Sequence, residues 1–283
     1  GQPVDSGPTF LHGRDPGFLA LLDAVPGARR PGWPAVLEGL GQPCQPAAFE
    51  PGERRIAWAE GVNALPRHLA RGLDVRLEAE VTGLEAGEGG LRVLHGGGAT
   101  TAAAVVLAAA PEQSARLLDA WAGAPPPVAA LRALLGLSAT HACLSLLALY
   151  PDGAPRPAWD VCYPERSPLM VVSHDSAKRG PGARLALVLQ ARAGWSRQRL
   201  EDPAWPEALL EEAGRLLGPW AARPAHRYAH RWRFARHDGA ALLSGPALVT
   251  LPAGRLGLCG DRFGRGGGEI GRASCRERGY SGV

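Results

Sequence analysis

The sequence predicts a mixed fold of the α/β (α+β) class, and three stretches carry that prediction. Ala103–Ala109 (AAVVLAA) is a continuous apolar run of strand length, the pattern of a strand buried on both faces. Asp15–Val25 (DPGFLALLDAV) reads as a helix, with Asp15 placed to cap it, Pro16 at its first position and apolar residues following at helical spacing. Between Ala139 and Ala191, apolar runs separated by Pro- and Gly-containing turns read as successive antiparallel strands.

The remaining elements follow in order along the chain. Val4–Phe10 opens with an Asp-Ser-Gly turn and a short apolar segment. Gly32–Gly52 is rich in Pro and Gly and reads as loop with short strands. Gly61–Gly72 predicts a short helix with Leu65 and Leu69 on one face and Gly72 ending it. Asp74–Glu80 alternates Val75, Leu77 and Ala79 with charged residues, the pattern of a strand, and Val81–Glu85 continues it. Gly87–Gly90 is a turn, Leu91–His95 a strand, and Gly96–Gly98 another turn. Pro111 ends the apolar run, and Glu112–Trp121 restarts as a helix. Pro125–Pro127 reads as a linker-like kink. Ala139–Tyr150, Trp159–Tyr163, Leu169–His174 and Leu185–Ala191 are strands, and Glu207–Leu217 is an amphipathic helix. In Ala225–Ala235, strand alternation puts His230, Trp232 and Phe234 on one face and Arg231 and Arg233 on the other. Arg255–Cys259 is a short strand that leads into Gly260-Asp261.

Composition narrows the function classes. The 283 residues suffice for one large domain or two interleaved ones. No run of 18 apolar residues occurs, so no membrane span is expected. The formal net charge is +4, but the positive charge is almost all Arg, scattered among Asp and Glu rather than gathered in a stripe; no nucleic-acid partner is expected. Lys178, the only lysine, falls in a Gly- and Pro-rich stretch and reads as a surface residue. None of the five cysteines stands at CxxC spacing and no His cluster accompanies them, so no metal site is expected. That sparse, odd set suits a reducing cytoplasm. Ser173-His174-Asp175 invites a hydrolase reading, but three adjacent residues do not make a triad and no G-x-S-x-G elbow exists.

The ends of the chain read differently from its body. It begins at Gly1 rather than Met, and the expected start of the native protein lies upstream. The tail Glu269–Arg278 (EIGRASCRER) carries one of the two isoleucines and back-translates to a common sequencing-adaptor string, so native sequence is expected to stop near Gly268 and 269–283 to be a scar.

Several short segments, in this order, resemble a known family. Asp5-Ser6-Gly7-Pro8-Thr9-Phe10, Glu60-Gly61-Val62-Asn63-Ala64-Leu65 with the following Leu73–Val81, Val105–Pro111, His230–Ala235 (HRWRFA) and Gly257–Asp261 are similar to segments of renalase-like FAD-dependent oxidoreductases, within the wider amine-oxidase superfamily. The resemblance implies a partial FAD-binding Rossmann-type lobe interleaved with a substrate lobe built on a mostly antiparallel sheet. It assigns 1–57 and 114–247 to the substrate lobe and 58–113 and 248–268 to the cofactor lobe. It implies FAD as cofactor and oxidation of an amine or reduced nicotinamide-like small molecule by hydride transfer to flavin. It also implies four cofactor-binding positions: Gly260 and Asp261 at the phosphate and ribityl region, Val81 at the adenine edge, and Gly7 near the isoalloxazine ring. Thr9 stands where the family has Gln, so a long amide is missing there. No catalytic side chain follows from the resemblance.

The G-x-G-x-x-G loop that such an enzyme needs for its pyrophosphate does not occur in the sequence. Two alternatives stay open: a non-catalytic binding protein with a degenerate flavin fold, and another flavoenzyme of the same fold, such as a carotenoid desaturase or protoporphyrinogen oxidase relative. The expectation for the chain as it stands is an inactive protein that purifies colourless and free of FAD. A yellow preparation with a flavin absorbance band would contradict it.

Overall fold

A computed structural model describes residues 2–137, 139–237, 247–260 and 263. Asp261, the Gly264–Gly268 stretch and the tail lie outside the described residues. In chain order the elements are strand β1 (Leu11–Gly13), helix α1 (Pro16–Ala24), β2 (Arg29–Pro31), β3 (Leu37–Glu38), β4 (Arg54–Trp58), α2 (Ala64–Leu69), β5 (Val81–Gly87), β6 (Gly90–His95), β7 (Gly98–Ala102), β8 (Ala104–Leu107), α3 (Pro111–Asp119), α4 (Pro126–Gly136), β9 (Thr140–Leu149), β10 (Val161–Cys162), β11 (Leu169–Ser173), β12 (Ala186–Ala191), α5 (Ala193–Gln198), α6 (Trp205–Leu217), β13 (His226–His237), β14 (Ala247–Leu251) and β15 (Gly254–Leu258). The mixed fold class is as the sequence predicts.

The chain forms two compact units, one of Gly1–Arg71 with His141–Arg236, the other of Gly72–Thr140 with His237–Gly268. In the first, a six-stranded sheet runs in the order β13-β9-β12-β11-β10-β3. Pairing is antiparallel from β9 through β10, and β3 joins parallel to β10. Leu144 and Leu146 of β9 and Leu187 and Leu189 of β12 are fully buried, in one cluster with Trp205, Leu209 and Ala213 of α6. Those α6 residues recur at helical spacing, which is why Pro206 and the following run make one amphipathic helix. A second sheet, β1-β4-β2, carries α1. The Asp15 carboxylate accepts a 2.7 Å hydrogen bond from the Phe18 N–H, capping α1 as predicted, and Phe18 and Leu22 bury against Ile56 and Trp58.

The second unit holds an antiparallel meander, β5-β6-β7, and a sheet β14-β15-β8 in which β15 and β8 run parallel. Helices α3 and α4 cover its core through Leu118, Leu131 and Leu135, packed with Leu84, Leu91, Leu107, Leu256 and Leu258.

Three local expectations are corrected here. Asp74–Glu80 is not a strand. Leu73, Val75 and Leu77 are exposed, Leu77 at 83%, and no described strand pairs with this stretch. Alternation prepares a backbone for a sheet but does not supply the neighbouring strand whose groups must pair with it. Pro125–Pro127 is not a linker but the N-terminus of α4, since the ring fits the first turn, where the missing N–H has no helical partner to lose. The run at Ala103–Ala109 is covered on one face only: Leu107 is buried while Val106 is 58% exposed. By contrast, the alternation assigned to β13 is present, with His230, Trp232 and Phe234 half-buried and Arg231 and Arg233 exposed.

Leu189 sits at the centre of the larger core, so Leu189→Ala is expected to lower the unfolding free energy by about 2–5 kcal/mol. Denaturant unfolding of the two proteins measures this; a loss under about 1 kcal/mol would show that the cluster with α6 is not the principal core.

Candidate functional site

The segment that precedes β1 is the starting point. Asp5 is buried, and its carboxylate accepts from the Val62 N–H at 3.1 Å. It also meets Lys178 Nζ at 2.5 Å. Lys178 is fully buried, not a surface residue as its Gly- and Pro-rich surroundings suggested. Its ammonium touches a second carboxylate, Asp175 Oδ1, at 2.7 Å, donates to the Thr9 carbonyl at 2.8 Å and lies 4.8 Å from the centre of the Trp33 ring. Arg179 closes the cluster, with Nη2 at 2.6 Å from Asp175 and Nη1 donating to the Ala59 carbonyl. Two cations and two anions thus balance inside the protein, which is the condition for burying any of them. Burial pushes the Asp5 carboxyl up from its ordinary range, as does Asp175, against the opposing pull of Lys178 and Arg179.

This cluster fixes a turn, Asp5–Phe10, two of whose carbonyls are held by the six-stranded sheet. Ser145 Oγ of β9 and Trp232 Nε1 of β13 both donate to the Ser6 carbonyl, at 2.8 and 3.0 Å. Gln190 Nε2 of β12 donates to the Gly7 carbonyl at 2.8 Å. A Cβ on Gly7 would lie 3.3 Å from the Trp232 ring, so glycine is what lets the indole approach the turn this closely.

Between the turn and the sheet is a cavity of about 180 Å³. Its walls are mainly aromatic and apolar: Phe10, Val161, Tyr163, Met170, Val171, Trp232 and Phe234, with Gly7, Pro8 and Thr9 along one side. The polar groups among the described lining residues are Thr9, Gln45, Gln190, Tyr163, Arg236 and the thiols of Cys44 and Cys143; none is Asp, Glu, His or Lys. An apolar concave site with a few polar groups is the usual form of a small-molecule site.

The four sequence-derived positions distribute as follows. Gly7 lines the cavity. Val81 is the first residue of β5, paired opposite His95 and half-buried. Gly260 follows β15 with φ +125°, a backbone conformation that favours glycine, and a Cβ there would stand 3.6 Å from the Ala108 carbonyl. Val81 opens a strand of one sheet of the second unit, Gly260 follows a strand of another, and Asp261 lies outside the described residues. The carboxyl ends of the parallel pair β8 and β15 are where ligands enter open sheets of this kind. Here Ala108 and Ala109 are exposed with short side chains, and the Ala108 carbonyl lies beside Gly260.

Other candidates resolve into structure. His174 Nδ1 donates to the Trp159 carbonyl at 3.2 Å, and Asp175 is engaged by Lys178 and Arg179, so no Ser-His-Asp relay forms. Three arginines of β13 face outward: Arg233 pairs with Glu201, Arg227 pairs with Glu207, and Arg231 donates to the Leu200 carbonyl. Among the described residues no group of three His, Cys, Asp or Glu is placed to hold a metal, and no helix is long and apolar enough to cross a membrane. Gln190, Tyr163, Met170 and Phe10 were not singled out from sequence; each is a single aromatic, thioether or amide side chain within its segment, and only the fold brings them to one cavity.

Comparison with known proteins adds the following. A family model described as flavin containing amine oxidoreductase matches residues 32–237. No curated protein matches the chain. Among solved structures, cyclohexylamine oxidase from Brevibacterium oxydans IH-35A superimposes with a TM-score of 0.53 at 16% identity, over 75% of this chain and 49% of that one. A putrescine oxidase bound to putrescine gives 0.47 at 20% identity, over 63% of this chain and 39% of that one. The chain therefore spans less than half the length of either structure.

Two outcomes follow. Lys178→Met strands two buried carboxylates and is expected to lower the unfolding free energy by about 3–5 kcal/mol in denaturant unfolding; a change under about 1 kcal/mol would contradict the cluster. Burial holds the His174 imidazole below its ordinary pKa of 6.5, so the unfolded chain takes up the proton first. The contribution is complete above pH 6.5 and is lost as pH falls below it toward the folded-state value. Tm measured against pH should therefore drop more steeply below 6.5 in the native chain than in His174→Gln; identical slopes would remove His174 from the account.

Proposed function

The chain belongs to the flavin-containing amine oxidoreductase family, and we propose that it forms the substrate-binding part, and a share of the cofactor-binding part, of a renalase-like FAD-dependent oxidoreductase. FAD is the cofactor of the family, and when bound it supplies the hydride acceptor. The substrate is a small molecule, an amine or a reduced nicotinamide-like compound. The observation that carries this reading is the aromatic cavity walled by Gly7–Phe10 in the first unit.

The first unit is then the substrate lobe and the second contributes the cofactor lobe. In the second, Val81, Gly260 and Asp261 take the cofactor, with the exposed Ala108 and Ala109 leaving room beside Gly260. In the first, Gly7 takes the cofactor's side of the cavity wall. The cavity side chains do three things: the aromatic rings bind a flat or compact apolar body, the amides of Gln45 and Gln190 orient it, and the apolar lining excludes water. With no carboxylate, imidazole or ammonium among the described lining residues, no side chain here is assigned as an acid or base. A cytoplasmic location agrees with the absence of a disulfide among the described cysteines, Cys44, Cys143, Cys162 and Cys259; burial pushes the Cys162 thiol up to about 11, which keeps it inert.

The test is anaerobic mixing of the protein expressed from its full gene with amines and with dihydronicotinamide compounds. The visible flavin band is expected to bleach with at least one of them. Trp232→Ala should slow that reduction roughly tenfold or more at fixed substrate, since the ring is both wall and anchor of the Ser6–Gly7 turn. A protein that purifies without flavin, or whose flavin stays oxidised with every compound, would contradict the reading.

A further inference from the structure

The polar chemistry of the cavity points to a discrimination among substrates, resting on the reading of the cavity as the substrate site. Three backbone acceptors of the turn are already engaged: the Ser6 carbonyl by Ser145 and Trp232, the Gly7 carbonyl by Gln190, and the Thr9 carbonyl by Lys178. The Gln190 amide is therefore fixed in orientation, with its nitrogen held 2.8 Å from the Gly7 oxygen. Its Oε1 has no hydrogen-bond partner among the described residues, and it is not one of the buried unpartnered atoms, so it faces accessible space. Gln190 lines the cavity together with Phe10, Tyr163, Trp232 and Phe234. No described lining residue is a carboxylate.

We infer that Gln190 is a specificity-determining residue, and that the cavity selects an uncharged planar molecule carrying an N–H or O–H donor over a protonated amine. The reasoning is a balance of desolvation. A neutral donor loses one hydrogen bond to water and regains one at Oε1, while its ring fills the aromatic shell. An ammonium loses a full hydration shell, and the described lining returns amide, hydroxyl and thiol dipoles and ring faces, with no counter-charge and with the like charge of the Arg236 guanidinium on the same wall. A flat molecule without a donor fills the same volume but leaves the Oε1 acceptor dry, which carries its own penalty. Anchoring is what makes the amide selective: a freely rotating Gln would offer a donor as readily as an acceptor, whereas the Gly7 carbonyl fixes which end the ligand meets.

The experiment uses the chain as it stands and three probes that share one ring: indole, 1-methylindole and tryptamine, titrated calorimetrically at pH 7. Indole is expected to bind roughly fivefold to tenfold tighter than 1-methylindole, and tryptamine more weakly than indole. In Gln190→Met the indole to 1-methylindole ratio should fall to about one. Ser145→Ala loosens the same turn without touching the acceptor, and there the ratio should persist even if both affinities drop. Equal binding of indole and 1-methylindole by the native chain, a ratio retained in Gln190→Met, a ratio lost in Ser145→Ala, or tighter binding of tryptamine than of indole would each overturn the assignment to Gln190. Failure of all three probes to bind would overturn the underlying reading of the cavity as the substrate site.

Discussion

The arrangement of the first unit depends on a buried ammonium. Lys178 places one charge where no water reaches it, and its two carboxylate partners come from distant parts of the chain, Asp5 from the start and Asp175 from three residues before it. Burying such a charge alone would cost many kcal/mol, so the lysine dictates that Asp5 and the Thr9 carbonyl come to it. Asp5 in turn accepts from Val62 at the entrance to α2, and Arg179 reaches Ala59 at the end of β4. One charge cluster therefore ties together the opening segment, the β4–α2 connection and the short 3₁₀ turn at Asp175–Arg179.

The cavity is the consequence of that tie. With Asp5 and Thr9 fixed from one side, and Ser6 and Gly7 held from the other by Ser145, Gln190 and Trp232, the turn stands away from the sheet as a rigid wall. Strands β9, β12 and β13 each contribute one donor to it, and all three are elements of the same hydrogen-bonded sheet. The aromatic residues then fill the remaining faces. The division of labour is physical: ion pairs and hydrogen bonds to carbonyls set the shape, while rings and aliphatic side chains make its apolar lining.

Much of the fold was legible in the sequence, and the exceptions have specific causes. The Asp15 cap, the α6 amphipathic run, the strands from β9 to β12 and the two-faced β13 announce themselves because their signals are local. The stretch from Asp74 to Glu80 misled, because alternation is local whereas pairing is not. Pro125–Pro127 misled because proline breaks a helix interior but suits its first turn, and the pattern that continues it, Val128, Leu131 and Leu135, lies beyond. Of the site, Gly7 was reached through resemblance and is at the cavity, and Trp232 and Phe234 were placed on the correct face of their strand. Lys178 was misread because its neighbours in sequence are Gly and Pro, and nothing local reports that Asp5 lies against it. Gln190 was invisible for the same reason: an amide on an apolar strand acquires meaning only when a carbonyl from the far end of the chain anchors it.

Since the charge cluster is held to fix the turn and not merely to add stability, the most direct measurement is native-state hydrogen exchange of Lys178→Met against the native chain, residue by residue. The account predicts that protection falls first at the Val62 amide, which donates to Asp5, and across the amides of residues 5–7, 9 and 10, while β9 and β12 keep protection up to the reduced global limit. Unchanged protection at Val62 and the turn, or a loss spread evenly over the sheet, would contradict it.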